Sequence, residues 1–251
     1  MWNNEIVWYL LIISAVTGYL LGSISFARII TWVKKSKGDV KTIKRDIPDT
    51  DIVFESDAIS ATAVSLNLGK KYGCLTSLLD MMKAAIPAGG FYFLLPEQPY
   101  YIVTALMAML GHNYPVFYRF KGGSGQSPLI GGLIIINWYG LIITNLAAII
   151  LGYLTGAVLV MRWGWMVLMI GWFAWYFGDP WHIGYIVIAN VLFWTAISNE
   201  IKEALKIKQQ RNSTQEEVSE FMLMGKGLGR FIDQYGLPAF VKKIINRKKL
   251  N

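Results

Sequence analysis

The residues best suited to chemistry lie in one short run, Lys121-Gly122-Gly123-Ser124-Gly125-Gln126-Ser127-Pro128. Its glycines let the backbone turn tightly and point successive N–H groups inward, as in an anion-binding nest. A helix is predicted to start at the end of the run, with Ser127 as N-cap and Pro128 in the first helical position. A helix N-terminus holds phosphate through its unpaired N–H groups and its dipole. Lys121 and Arg119 add positive charge. A tight turn between two helices also favours glycine, so the run alone leaves phosphate cradle and simple connection both open.

Just upstream, Gly111-His112-Asn113-Tyr114-Pro115 puts polar side chains at the end of an apolar stretch. Pro115 removes a backbone hydrogen bond and bends or ends the helix. A polar residue inside a membrane bundle is costly; it marks function or an interhelical hydrogen bond, and both readings stay open for His112. Asp80 and Lys83 stand three residues apart in another apolar stretch, a spacing that puts both on one helix face. A buried charge needs a partner, so the two are expected to pair, either structurally or to position a substrate. No nucleophile triad, metal-spaced Cys/His cluster, Walker-type sequence or dinucleotide fingerprint is present, so neither metal nor cofactor is expected. His182 is assigned no role.

The elements that must position these residues are helices in a membrane. Of the 251 residues 54% are hydrophobic and only 16% charged, whereas a soluble domain carries about 25% charged residues. The apolar residues fall into long runs at 6–33, 74–95, 100–120, 128–136, 139–160, 164–177 and 183–197. A spanning helix takes roughly 20 apolar residues, so the expected fold is all-α: a polytopic integral membrane helix bundle of about seven spans. Lys and Arg concentrate in 34–73, 119–127 and 198–251, with Arg162 besides; the intervening connections 96–99, 137–138 and 178–182 have none. That asymmetry predicts an outside N-terminus and a cytoplasmic C-terminus. The first run lacks a basic n-region and is too long for a signal peptide. The single cysteine, Cys74, excludes an intramolecular disulfide framework. The net charge of +8 is attributed to orientation and anionic lipid, not to nucleic acid.

Two divisions are expected: a transmembrane domain over 1–205 and a basic cytoplasmic tail over 206–251. The segment 34–73, with a turn at Pro48, reads as a loop packed on the membrane face. In the tail, 199–208 is expected to extend the last spanning helix. Ser213 and Glu216 have capping-box spacing, and Gly225, Gly227 and Gly229 are expected to interrupt the helix they start. Residues 237–250 form a basic stretch that either lies in the headgroup region or simply solubilises the tail.

These pieces together resemble a known family. Tyr19-Leu20-Leu21-Gly22-Ser23-Ile24-Ser25-Phe26 is similar to the first span of the bacterial acyl-phosphate:glycerol-3-phosphate acyltransferases of the PlsY type, where Gly-Ser-Ile-Pro-Phe is usual. Leu68-Gly69-Lys70-Lys71-Tyr72-Gly73 and Leu79-Asp80-Met81-Met82-Lys83-Ala84 resemble that family's Leu-Gly-Lys and Leu-Asp…Lys-Gly segments. The most specific match is Gly111-His112-Asn113-Tyr114-Pro115-Val116-Phe117 followed by Phe120-Lys121-Gly122-Gly123-Ser124-Gly125. The resemblance covers about residues 10–205 in order and leaves the tail without a counterpart.

The resemblance implies a seven-helix enzyme of the cell membrane with its active face in the cytoplasm. Such an enzyme moves an acyl chain from acyl phosphate to glycerol 3-phosphate, giving lysophosphatidic acid for phospholipid synthesis without a cofactor. It assigns catalytic roles to Ser56, His112 and Asn113. Phosphate binding falls to Thr62, Lys121, Gly122, Gly123, Ser124, Gly125 and Ser127, with Asp80 and Lys83 as a structural or positioning pair. Membrane lipid is the surrounding partner.

The chain also departs from the family. The motif Ser-Gly-Asn-x-Gly-Ala-Thr-Asn-x-x-Arg is matched by 56–66, where Ser56, Ala61 and Thr62 remain. Its glycines are replaced by Asp57 and Ser60, its asparagines by Ala58 and Ala63, and its arginine by Leu66. Ser124 stands for the lysine between glycines, and Ile197 and Glu200 for the third motif's His and Asn. Losing cations around two phosphate-bearing substrates weakens the site's field, which motivates an alternative: a non-catalytic paralogue that binds lipid or a partner on the same scaffold.

Overall fold

The computed structural model describes residues 6–34, 43–46, 53–56, 60–199, 201–202 and 226–241, with strand residues described by their backbone alone. Asp57, Ala58, Glu200, the Ser213/Glu216 cap, residues 203–208 of the expected helix extension and the stretch beyond Val241 lie outside the described residues.

The first apolar run, expected as one span and as a whole long and apolar enough to be one, is broken into two helices, α1 (Trp8–Gly22) and α2 (Phe26–Val33). The break has a local cause. The Ser23 hydroxyl donates to Tyr19 O at 2.8 Å, a back-bond that bends helices. Ile24 turns back to donate to Leu21 O, and Ile24 O is left facing outward for a side chain.

The segment expected as a loop carries an antiparallel hairpin, β1 (Ile43–Asp46) and β2 (Val53–Ser56), with Ile43 opposite Ser56. α3 (Ala61–Leu68) follows, its start capped by Ser60 Oγ accepting from Ala63 N. Gly69, at φ +99°, separates it from α4 (Lys70–Leu94). α5 (Tyr100–Asn113) stops well short of residue 120 because Pro115 cannot continue it. A single 3-10 turn, Val116–Tyr118, leads to α6 (Gln126–Thr155). The runs 128–136 and 139–160, expected as separate spans, lie within α6, where Asn137 leaves helical dihedrals at φ −162°, ψ 75°. α7 (Val158–Tyr176) and α8 (Pro180–Ala196) complete the apolar helices. α9 (Lys226–Tyr235) lies in the tail, followed by a helical turn over 237–241. Among the described residues, Trp8–Val33, α6 and α7 are long and apolar enough to cross a membrane.

Contacts divide the chain into two units. The first holds residues 1–138 and 173–197. Here α1 and α5 touch backbone to backbone: a Cβ on Gly22 would stand 2.2 Å from Ala108 O, and one on Gly111 would stand 2.2 Å from Tyr19 O. Small residues allow such close approach, which drives helix association where lipid removes the hydrophobic contrast. Tyr100, Met109, Leu129, Leu133, Phe173 and Phe193 are fully buried in this unit. The second unit holds 139–172 and 198–251. In it, Gly156 and Ala157 join α6 to α7, and Gly152 packs on Met161.

Candidate active site

Lys83 is the hub of the first unit's polar cluster. Its Nζ lies 2.8 Å from Asp80 Oδ1, 2.7 Å from Ile24 O and 2.8 Å from His112 Nδ1. The expected Asp80–Lys83 pair therefore forms, and both side chains are 3% exposed. A charged Lys83 has three hydrogens and no lone pair, so it can only donate to His112 Nδ1; its approach to Asp80 is an ion pair, since Asp80 Oδ1 has no hydrogen-bond partner among the described residues. The imidazole is then neutral, with its hydrogen on Nε2. The break between α1 and α2 has a use here, because it frees the Ile24 carbonyl to bind the cation.

The glycine run wraps around the same histidine. Gly123 N donates to His112 O at 3.1 Å. A Cβ on Gly123 would stand 2.4 Å from His112 Nε2, and one on Gly122 would stand 2.0 Å from His112 O. Gly125 is at φ +83°, and its Cβ would meet Asn113 Oδ1 at 2.3 Å. Asn113 Nδ2 donates to Leu192 O, while its Oδ1 is buried with no hydrogen-bond partner among the described residues. Each glycine is thus needed to admit His112 or Asn113, and Nε2 of the neutral ring abuts the loop.

The loop's remaining donors are the groups that an anion would use. Lys121 N and Gly123 N are engaged by Tyr118 O and His112 O. The N–H groups of Ser124, Gly125, Gln126 and Ser127 donate to no backbone carbonyl among the described residues. α6 starts at Gln126, earlier than predicted. Ser127 is therefore inside the first turn and not its cap, and its hydroxyl is 3.0 Å from that of Ser77. Pro128 is tolerated one turn in, because its missing N–H would be an orphan there.

Arg28, which reads in the sequence only as an interruption of the first run, holds the loop's entry. Its guanidinium donates to Lys121 O at 3.2 Å and lies 4.7 Å from the Tyr118 ring centroid. Arg119 and Phe120 take left-handed backbone angles, φ 54° and 59°, a costly conformation for non-glycine residues. Lys121 is exposed beyond them. Ser77 and Ile24 are further participants that sequence reasoning missed; a backbone carbonyl has no residue-type signal at all. Thr62 is exposed on α3, which packs against Gly73 of α4. Ser56 ends β2. Leu66 is exposed on α3, and Ile197 is buried at the end of α8. Among the described residues no group of three His, Cys, Asp or Glu side chains could hold a metal.

A sequence model of the family described as glycerol-3-phosphate acyltransferase matches residues 12–206. The chain belongs to that family. A glycerol-3-phosphate acyltransferase of Methylobacillus flagellatus is 34% identical over 190 residues, covering 70% of this chain and 83% of that one. One from Mycoplasma mycoides is 35% identical over 140 residues, covering 53% of this chain and 49% of that one. The chain thus spans about half the length of curated acyltransferases such as the latter. The fold is that of PlsY (YgiH), an integral membrane glycerol 3-phosphate acyltransferase. Its glycerol 3-phosphate form superposes with a TM-score of 0.63 at 24% identity, covering 78% of this chain and 92% of PlsY. Its lysophosphatidic acid form gives 0.61 at the same identity. The acyltransferase match ends at residue 206, so α9 lies beyond it.

Proposed function

We propose that this protein transfers an acyl chain from acyl phosphate to the 1-hydroxyl of glycerol 3-phosphate, making lysophosphatidic acid for phospholipid synthesis. The observation that carries this reading is the convergence at the start of α6 of N–H groups, from Ser124 to Ser127, that donate to no backbone carbonyl among the described residues, with the edge of His112.

In this reading the glycerol hydroxyl oxygen attacks the acyl carbonyl carbon, the carbon–oxygen bond to phosphate breaks, and the hydroxyl proton leaves with the departing phosphate. The protein's part is positioning and charge stabilisation. Lys121, the loop N–H groups and Thr62 hold phosphate. His112 serves as an N–H donor, since Lys83 occupies the nitrogen that a base would need. Asn113 Oδ1, buried and without a hydrogen-bond partner among the described residues, accepts from a substrate hydroxyl. Asp80 and Lys83 act through His112 and are positioning residues. Ser56 is assigned to the site by its place in the family motif. The built loop and its histidine support favour catalysis over a non-catalytic role, despite Leu66 and Ser124 in place of cations.

The proposed setting is the cell membrane, with seven crossings, the N-terminus outside, and the site and C-terminus in the cytoplasm. The helical break at Asn137, where an outside turn was expected, supports that count. Within the second unit, the contact of Pro238 with Gly156 puts the tail and the α6–α7 turn on one side, in keeping with both being cytoplasmic.

The test is a direct assay. Purified protein in phospholipid vesicles, given acyl phosphate and glycerol 3-phosphate, should release inorganic phosphate and lysophosphatidic acid in equal amounts. Folded protein that yields neither would overturn the proposal.

A further inference from the structure

The tail helix α9 is built in three stripes. Gly229, Ile232 and Gly236 are buried. This stripe packs within the second unit, where a Cβ on Gly236 would stand 3.6 Å from Tyr153 O. Pro238 just beyond sits where a Cβ on Gly156 would meet it at 2.9 Å. A second stripe, Arg230 and Gln234, is polar. The third is aromatic and uncovered: Phe231 is 45% and Tyr235 60% exposed, their rings 5.6 Å apart. Phe240 and Val241 continue the exposed apolar surface at 55% and 44%.

Exposed apolar side chains on α6 and α7 are explained by lipid around a spanning helix. Those of α9 need another reason, because its polar stripe and its single turns of apolar surface rule out a span. The docking site supplies that reason. Gly156 and Ala157 form the whole connection between α6 and α7, both long and apolar enough to span. A turn between two spanning helices lies at the edge of the hydrocarbon, and α9 is held against it. Aromatic rings and cationic side chains on one short helix at that depth are what an interfacial helix presents to headgroups. Charge favours an anionic surface: the sequence from Lys226 to Asn251 has Lys226, Arg230, Lys242, Lys243, Arg247, Lys248 and Lys249 against Asp233 alone.

We infer that α9 is a headgroup-binding helix that lays Phe231, Tyr235 and Phe240 into the protein's own bilayer and selects anionic phospholipid. The inference does not depend on the acyltransferase reading, since α9 lies beyond the family match.

The experiment uses the full chain with its native cysteine replaced (Cys74→Ser) and an environment-sensitive fluorophore on Tyr235→Cys or, in a second protein, Phe240→Cys. Each is reconstituted into phosphatidylcholine vesicles and into equal mixtures of phosphatidylcholine and phosphatidylglycerol. In the mixed vesicles both labels should shift to the blue and be quenched by brominated lipid. A label on Gln234→Cys should remain accessible to aqueous iodide. Removing phosphatidylglycerol, raising the salt or introducing Arg230→Glu with Lys243→Glu should reduce lipid quenching several-fold. Equal quenching in neutral and anionic vesicles would overturn the lipid selectivity. Exclusion of iodide without quenching by brominated lipid would mean that the chain or a second copy covers the stripe, and iodide access in every vesicle would mean that nothing does; either result overturns the inference.

Discussion

The ammonium of Lys83 stands 2.8 Å from Nδ1 of His112 and 2.8 Å from Asp80 Oδ1, so one cation both neutralises a buried carboxylate and fixes a histidine's tautomer. Lys83→Met leaves Asp80 buried without its cation, and breaking such a pair costs about 3–5 kcal/mol. Thermal unfolding should therefore show a large loss for Lys83→Met, partly recovered in Asp80→Asn/Lys83→Met. Nitrogen NMR of labelled histidine should find the His112 proton on Nε2 in the parent protein. A proton on Nδ1 would refute the donor assignment.

The glycines around His112 make a sharper case, since the obstruction is specific to each. Gly123→Ala drives a methyl to 2.4 Å from His112 Nε2, and Gly125→Ala meets both Asn113 Oδ1 and an unfavourable φ of +83°. Each should lower acyl transfer by tenfold or more, about 1.4 kcal/mol in the barrier, with the effect of Gly123→Ala concentrated in the KM for glycerol 3-phosphate. Gly184→Ala in α8 has nothing within 4 Å of the new methyl and serves as control; it should leave rate and KM unchanged.

Much of this was legible in the sequence because it follows from residue type. Apolar runs marked the helices, and the spacing of Asp80 and Lys83 marked their pairing. The glycine run and His112 were each visible, but that they form one object was not, because their contact depends on where Pro115 ends α5. The α1–α2 break escaped notice because serine is a weak signal in an apolar run, and its effect is exerted through the backbone carbonyl of Ile24. Arg28 looked like an interruption until the fold brought it to Lys121 O. The helix expected to start at Ser213 and to be interrupted from Gly225 lies outside the described residues; α9 itself runs through Gly227 and Gly229, and Gly229 is buried, so packing outweighs the roughly 1 kcal/mol that glycine costs a helix.

Lys121 and Ser124 test the phosphate cradle from opposite directions. Lys121→Ala removes an exposed cation whose charge-assisted hydrogen bond is worth about 1.5–3 kcal/mol, so kcat/KM should fall roughly tenfold to a hundredfold. Lys121→Arg should retain most of it. Ser124→Lys restores the cation that the family places between these glycines, and it should lower the KM for glycerol 3-phosphate and make it more sensitive to salt. Initial rates across substrate and salt concentrations decide the matter; if neither substitution changes KM, the cradle lies elsewhere.

At the other end of the first unit, Asp179 caps α8 through the N–H groups of Trp181 and His182 and contacts His182 Nδ1 at 2.6 Å, with His182 Nε2 3.1 Å from the Tyr101 hydroxyl. Burial would raise the Asp179 carboxyl, but the His182 side chain, the two backbone donors and the histidine's charge together hold it below its ordinary range. A carboxyl lowered by folding stabilises the native state above its unfolded value, about pH 4, and loses that contribution as the pH falls through its lower folded value. The melting temperature should therefore drop on acidification below about pH 4. Asp179→Asn should be less stable near neutrality and show a shallower acid decline, because the amide caps α8 but cannot titrate. Melting curves of both proteins in the same vesicles measure the difference, and parallel acid limbs would remove Asp179 from the account.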